Sequence, residues 1–77
     1  MILPARDALA LVQRARKERV AVLGLDAFRL TPATTQPDLA NSIDLSGASC
    51  RTNPWAEAEA FLEERLACGL EFEVVLA

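Results

Sequence analysis

The sequence contains no histidine and no tyrosine. Without histidine the chain lacks the commonest general base and the commonest metal ligand. Cysteine occurs twice, at Cys50 and Cys68. Two thiols without an imidazole do not complete a nitrogen–sulfur zinc site within one chain. The residues therefore predict neither a metal nor a cofactor. The start of the chain, Met1-Ile2-Leu3-Pro4-Ala5-Arg6-Asp7, lacks the long apolar core of a secretory signal. The cysteines are accordingly expected to be free thiols, Cys50 in an exposed loop and Cys68 as a small buried hydrophobe. No apolar run approaches the roughly 20 residues that a membrane span needs, so a cytoplasmic protein without membrane contact is expected. Gly24, Gly47 and Gly69 stand apart from one another, and none belongs to a phosphate-cradling loop. Aromatic residues are limited to Phe28, Trp55, Phe61 and Phe72.

What is present is aliphatic and acidic. The 77 residues are 52% hydrophobic, a globular composition that predicts a single domain over 1–77. A chain of this length buries only about 60% of the surface its unfolded form exposes, so its stability is marginal. The net charge is −3, and it is unevenly placed. Residues 1–19 carry five basic and two acidic side chains, whereas residues 20–77 carry three basic and nine acidic ones. The basic groups Arg14, Arg16, Lys17 and Arg19 close a helix, where positive charge suits the dipole. No aromatic residue lies among them, so nucleic acid is not the expected partner. The acidic remainder suits a basic partner.

The run Val20-Ala21-Val22-Leu23-Gly24-Leu25-Asp26 organises the chain as its first buried strand. Ahead of it, Pro4 suits the first turn of a helix whose apolar face is Ala5, Ala8, Leu9, Leu11, Val12 and Ala15. After it, Asp26-Ala27 reads as a tight turn and Phe28-Arg29-Leu30-Thr31 as a half-buried strand. Thr34-Thr35-Gln36 reads as a short strand, Pro37-Asp38 as a turn, and Leu39 to Leu45 as the place of another strand. Ser46-Gly47-Ala48-Ser49 has loop composition. Asn53-Pro54 signals a helix start, and that helix carries Trp55, Ala58, Phe61, Leu62 and Leu66 on one face, up to a left-handed stop at Gly69. Trp55 is read as a core residue. Leu70 to Leu76 alternates as a strand, with Leu70, Phe72, Val74 and Leu76 on one side and Glu71, Glu73 and Val75 on the other. The expected fold class is α+β: a small, mainly antiparallel sheet of about four strands with two helices on one face, in the order α-β-β-β-α-β.

Half-covering the sheet leaves a face on which Asp26, Asp38, Asp44, Glu71 and Glu73 would converge. Acid–base or metal chemistry would need those carboxylates in a cleft with shifted pKa values. With no histidine the residues point to no catalytic site, so the chain is read as not an enzyme. Solvated carboxylates or a protein-binding acidic face remain.

The element order has a counterpart. A basic first helix runs into a strand ending Leu23-Gly24-Leu25-Asp26. Later come an acidic helix with Ala58-Glu59-Ala60-Phe61-Leu62-Glu63 and a closing Glu71-Phe72-Glu73-Val74-Val75-Leu76. Over nearly its full length the chain resembles the small immunity proteins that neutralise the tRNA-cleaving colicin of the E-five type. It is also similar to a wider set of uncharacterised bacterial proteins. The resemblance implies an inhibitor that covers a basic nuclease site by imitating RNA, its carboxylates taking the place of phosphates. It implies a basic nuclease toxin domain as partner and Asp26, Asp38, Asp44, Glu71 and Glu73 as the binding residues. The alternative is a homodimer or assembly module built on exposed strand edges.

Overall fold

The structure, a computed structural model, describes residues 2–30, 33–45 and 53–77. Strand β1 (Ile2–Pro4) leads into helix α1 (Ala5–Glu18). Strands β2 (Val22–Leu30) and β3 (Thr35–Asp44) follow, then helix α2 (Pro54–Glu63) and strand β4 (Glu71–Leu76). The α+β architecture is the expected one, with two helices and a four-stranded sheet whose neighbours all run antiparallel. The sheet order is β1-β4-β2-β3. β1 and β2 therefore run parallel with β4 between them, and β3 and β4 run parallel with β2 between them. Each helix makes one of these crossovers, so two split β-α-β units interlock.

Residue chemistry explains the helices. α1 turns Ala5, Ala8, Val12 and Ala15 into the core and its charged side chains outward. Pro4 closes β1 with extended backbone and caps α1, so the helix begins one residue later than its composition suggests. Arg19 ends it in the left-handed conformation, at φ 59°. α2 begins at the predicted place. The Asn53 side chain accepts from the Ala56 N–H at 2.9 Å, with Pro54 in the first helical position. Replacing Asn53 by alanine should cost about 1 kcal/mol, read as a fall of about 4–8 °C in the thermal midpoint.

Several sequence expectations need correction. Asp26-Ala27 is not a turn, because β2 continues through it as a nine-residue strand. Pro37-Asp38 is not a turn either; it lies inside the single ten-residue strand β3. The break falls beyond it. Leu25 pairs with Ile43 and Ala27 with Asp38, so Leu39, Ala40, Asn41 and Ser42 stand opposite Asp26 alone. The Ser42 hydroxyl repairs the ladder there, accepting from the Ala27 N–H at 2.9 Å and donating to the Asp38 carbonyl at 2.8 Å. Pro37 is tolerated because β3 is an edge strand. α2 ends at Glu63, short of Gly69, and turns lead on to β4. Leu66 is consequently 50% exposed rather than part of the helix face. Cys68 is an exposed free thiol rather than a buried one, for the same reason. Gly69 keeps its left-handed role, at φ 76°, but serves the entry to β4. The expected loop at Ser46-Gly47-Ala48-Ser49, with Cys50, lies outside the described residues.

The core sits between the sheet and the helices. Phe72, Leu25, Leu62, Val12 and Val22 are its largest fully buried side chains. Phe61 meets Phe72 edge-on, with ring centroids 6.5 Å apart. Trp55 packs against this core, and its indole N–H donates to the Val20 carbonyl at 2.8 Å. The helices thus close one face of the sheet and, among the described residues, leave the other open. No helix among the described residues is long and apolar enough to cross a membrane.

Candidate functional site

The open face is fixed by strand alternation. On β4, Phe72 points into the core, so Glu71 and Glu73 point away from it. On β2, Leu25 and Ala27 are buried, so Gly24, Asp26 and Phe28 belong to the open face. Register then builds rows across the sheet. Ile2, Glu73 and Asp26 form one row, and Pro4, Glu71, Phe28 and Pro37 form the next. Val75, Gly24 and Asp44 form a third. Four of the five anticipated carboxylates, Asp26, Asp44, Glu71 and Glu73, are therefore brought to one face.

Asp38 is not with them. It pairs with the core-facing Ala27, so its side chain lies on the helix side of the sheet edge. There it belongs to a local network. Its Oδ2 accepts from Asn41 at 3.1 Å and from Arg29 at 3.4 Å. Asn41 in turn accepts from Arg65 at 3.1 Å, and the Arg65 guanidinium lies 3.7 Å from the centre of the Phe61 ring. The Asn41 side-chain amide holds the Asp38 carboxyl below its ordinary value, against an opposing cost of desolvation and with help from the Arg29 charge. A lowered pKa makes this contribution complete above the ordinary carboxylate value of about 3.9. The contribution is lost as pH falls through the lowered value. Amide spectra of residues 38–42 should therefore change in acid below about pH 4. In Asp38→Asn that acid response should vanish.

The carboxylates of the open face differ among themselves. Asp26 and Asp44 are exposed, whereas Glu71 and Glu73 are half-buried. Asp26 and Glu73 stand directly opposite each other. Like charges in that relation destabilise an antiparallel pair, by about 0.2–1 kcal/mol. The Oε2 oxygen of Glu71 is buried, with no hydrogen-bond partner among the described residues. Among those residues, no three Cys, Asp or Glu side chains come together to hold a metal ion.

Between the acidic rows lies a shallow groove of about 540 Å³, lined by Leu23, Gly24, Asp26, Ser42, Ile43, Asp44 and Val75. Sequence reasoning did not find it. Its origin is a pair of irregularities, an extra residue near Leu23 against β4 and the excursion 39–42 of β3. Neither leaves a composition signal. A glycine inside a strand marks a bulge or a close backbone approach, so Gly24 is the one hint. A Cβ at Gly24 would stand 3.0 Å from the Ile43 carbonyl oxygen.

No family model, curated protein or solved structure matches this chain.

The basic residues of α1 lie elsewhere. Arg14 is paired with Glu18 at 2.8 Å, and Arg16 with Glu59 on α2 at 3.0 Å. Both pairs sit in the helix layer, across the molecule from the acidic face. Arg14 and Arg16, two of the four cations that close α1, are thus engaged by carboxylates.

Proposed function

We propose that this chain is a non-enzymatic, cytoplasmic bacterial binding protein whose open acidic sheet face covers the basic surface of a ribonuclease toxin domain. The supporting observation is the collection of Asp26, Asp44, Glu71 and Glu73 on the one sheet face that the helices leave open. Carboxylates spaced along paired strands would meet the Lys and Arg of a phosphate-binding cleft through charge-assisted bonds. The same role follows from the resemblance to the immunity proteins of the tRNA-cleaving colicin.

The test is inhibition. Purified protein is mixed with a panel of basic ribonuclease toxin domains, the tRNA-cleaving E-five-type colicin among them, and tRNA cleavage is followed. Stoichiometric inhibition of at least one member, weakening as salt rises, is the expected result. Undiminished cleavage by every member would remove the proposal.

A second reading, a homodimer, is favoured by the uneven sheet edge. β1 spans only Ile2–Pro4, so it covers Glu71–Glu73 and leaves Val74–Leu76 without a neighbour there among the described residues. Ile2 and Leu76 are exposed, and such an edge is open to pairing with another strand. Light scattering at high concentration decides this reading, because a strict monomer excludes it.

A further inference from the structure

The acidic face is not uniform. It holds a gap at the middle of the row Val75, Gly24, Asp44. The gap is built into the fold, because any side chain at 24 would press on the Ile43 carbonyl oxygen. Its surroundings combine two chemistries. Leu23 and Val75 bring apolar surface, and Asp26 and Asp44 bring exposed carboxylates. Glu73, directly across from Asp26, adds negative potential beside the groove.

We propose that this groove receives one arginine side chain from a protein partner, and that it anchors the docking of the acidic face. The inference rests on the binding function proposed above and specifies its central contact. An arginine has the two properties the groove asks for. Its methylene stem lies well against apolar surface while its charged head stays at the rim. Its planar guanidinium presents five donors, enough for two carboxylates at once. A lysine would offer a more strongly hydrated point charge and less bidentate geometry. The half-buried Glu71, with its enclosed Oε2, is poorly placed to take that anchoring role. Asp26, exposed at the groove's edge, is well placed.

The probe is N-acetyl-arginine methylamide, titrated into the full ¹⁵N-labelled chain. The citrulline analogue, equal in shape but uncharged, serves as the comparison. Saturable shifts are expected at the amides of Leu23, Gly24, Asp26, Asp44 and Val75, with a dissociation constant on the order of millimolar. Citrulline should give none. Asp26→Asn should weaken binding about tenfold, the loss of one charge-assisted contact. Val75→Phe, which fills the gap and leaves both carboxylates in place, should abolish it. Amide dispersion equal to that of the wild type shows that each variant is folded.

Equal shifts with citrulline would overturn the groove as a guanidinium site. So would shifts spread evenly over the acidic face, or binding unchanged in Val75→Phe. A protein that failed in this way yet still inhibited a basic nuclease would keep the proposed function. A protein that bound the arginine probe in the groove and inhibited no nuclease would keep the groove and lose that function.

Discussion

Replacing Phe72 by alanine should destabilise the protein by about 3–5 kcal/mol. Phe72 is the largest fully buried side chain. It sits in β4, an interior strand, paired with Leu3 on one side and Ala27 on the other. Its ring is met edge-on by Phe61. The buried residues that α1 contributes to the same core are Ala5, Ala8, Val12 and Ala15. Small neighbours on α1 and a small partner on β2 cannot swing in to fill a lost ring. The cavity term therefore stays near its upper range. A chain of 77 residues has a total stability of roughly 4–12 kcal/mol, so this one change removes about a quarter of it or more. Urea and thermal melts should show it directly, as a fall of about 12–40 °C in the midpoint. Phe72→Leu keeps most of the volume and should recover most of the loss. A Phe72→Ala midpoint within a few degrees of the wild type would mean that the core does not close around β4 as described.

The sequence spoke clearly where period and chemistry agreed. From Leu70 to Val74 apolar and acidic residues alternate, and Leu70 and Phe72 face the core as expected, whereas Leu76 is exposed. Asn53-Pro54 carries a side-chain acceptor and a fixed φ, both local properties, and α2 starts there. α1 shows one apolar stripe and buries Ala5, Ala8, Val12 and Ala15 of it, with Leu9 and Leu11 half-buried. The middle of the chain was opaque for a physical reason. Its strands are irregular, and a bulge destroys the period on which strand recognition depends. The hydroxyl of Ser42 takes the place of a backbone group in the β2–β3 ladder, which no composition rule anticipates. β1 has three residues, too few to show any period. The same irregularity decided the candidate site. Glu71 and Glu73 were legible because β4 alternates, and Asp26 because it follows a clear apolar run. Asp38 was misplaced because a shift of register reverses the face of a side chain, and the register of β3 shifts between Ile43 and Asp38.

Removing the charge of Asp26 and Glu73 together should move stability and binding in opposite directions. These carboxylates are direct cross-strand neighbours on the open face. In Asp26→Asn/Glu73→Gln the repulsion between them is gone, which should stabilise the fold by about 0.2–1 kcal/mol. That gain corresponds to a rise of about 1–8 °C in the thermal midpoint. Added salt stabilises the wild type by screening the same repulsion, so the gain should shrink as ionic strength rises. Binding to a basic nuclease should respond the other way. Each charge-assisted contact contributes on the order of 1.5–3 kcal/mol, so losing two should weaken association about 10²-fold or more. Lys17→Gln, on the exposed side of α1, should leave association nearly unchanged. The opposite signs discriminate between the explanations of this face. If the carboxylates were only solubilising, stability would rise and association would hold. If they were structural, stability would fall. Higher stability together with weaker association would show the trade between stability and function expected of a binding site.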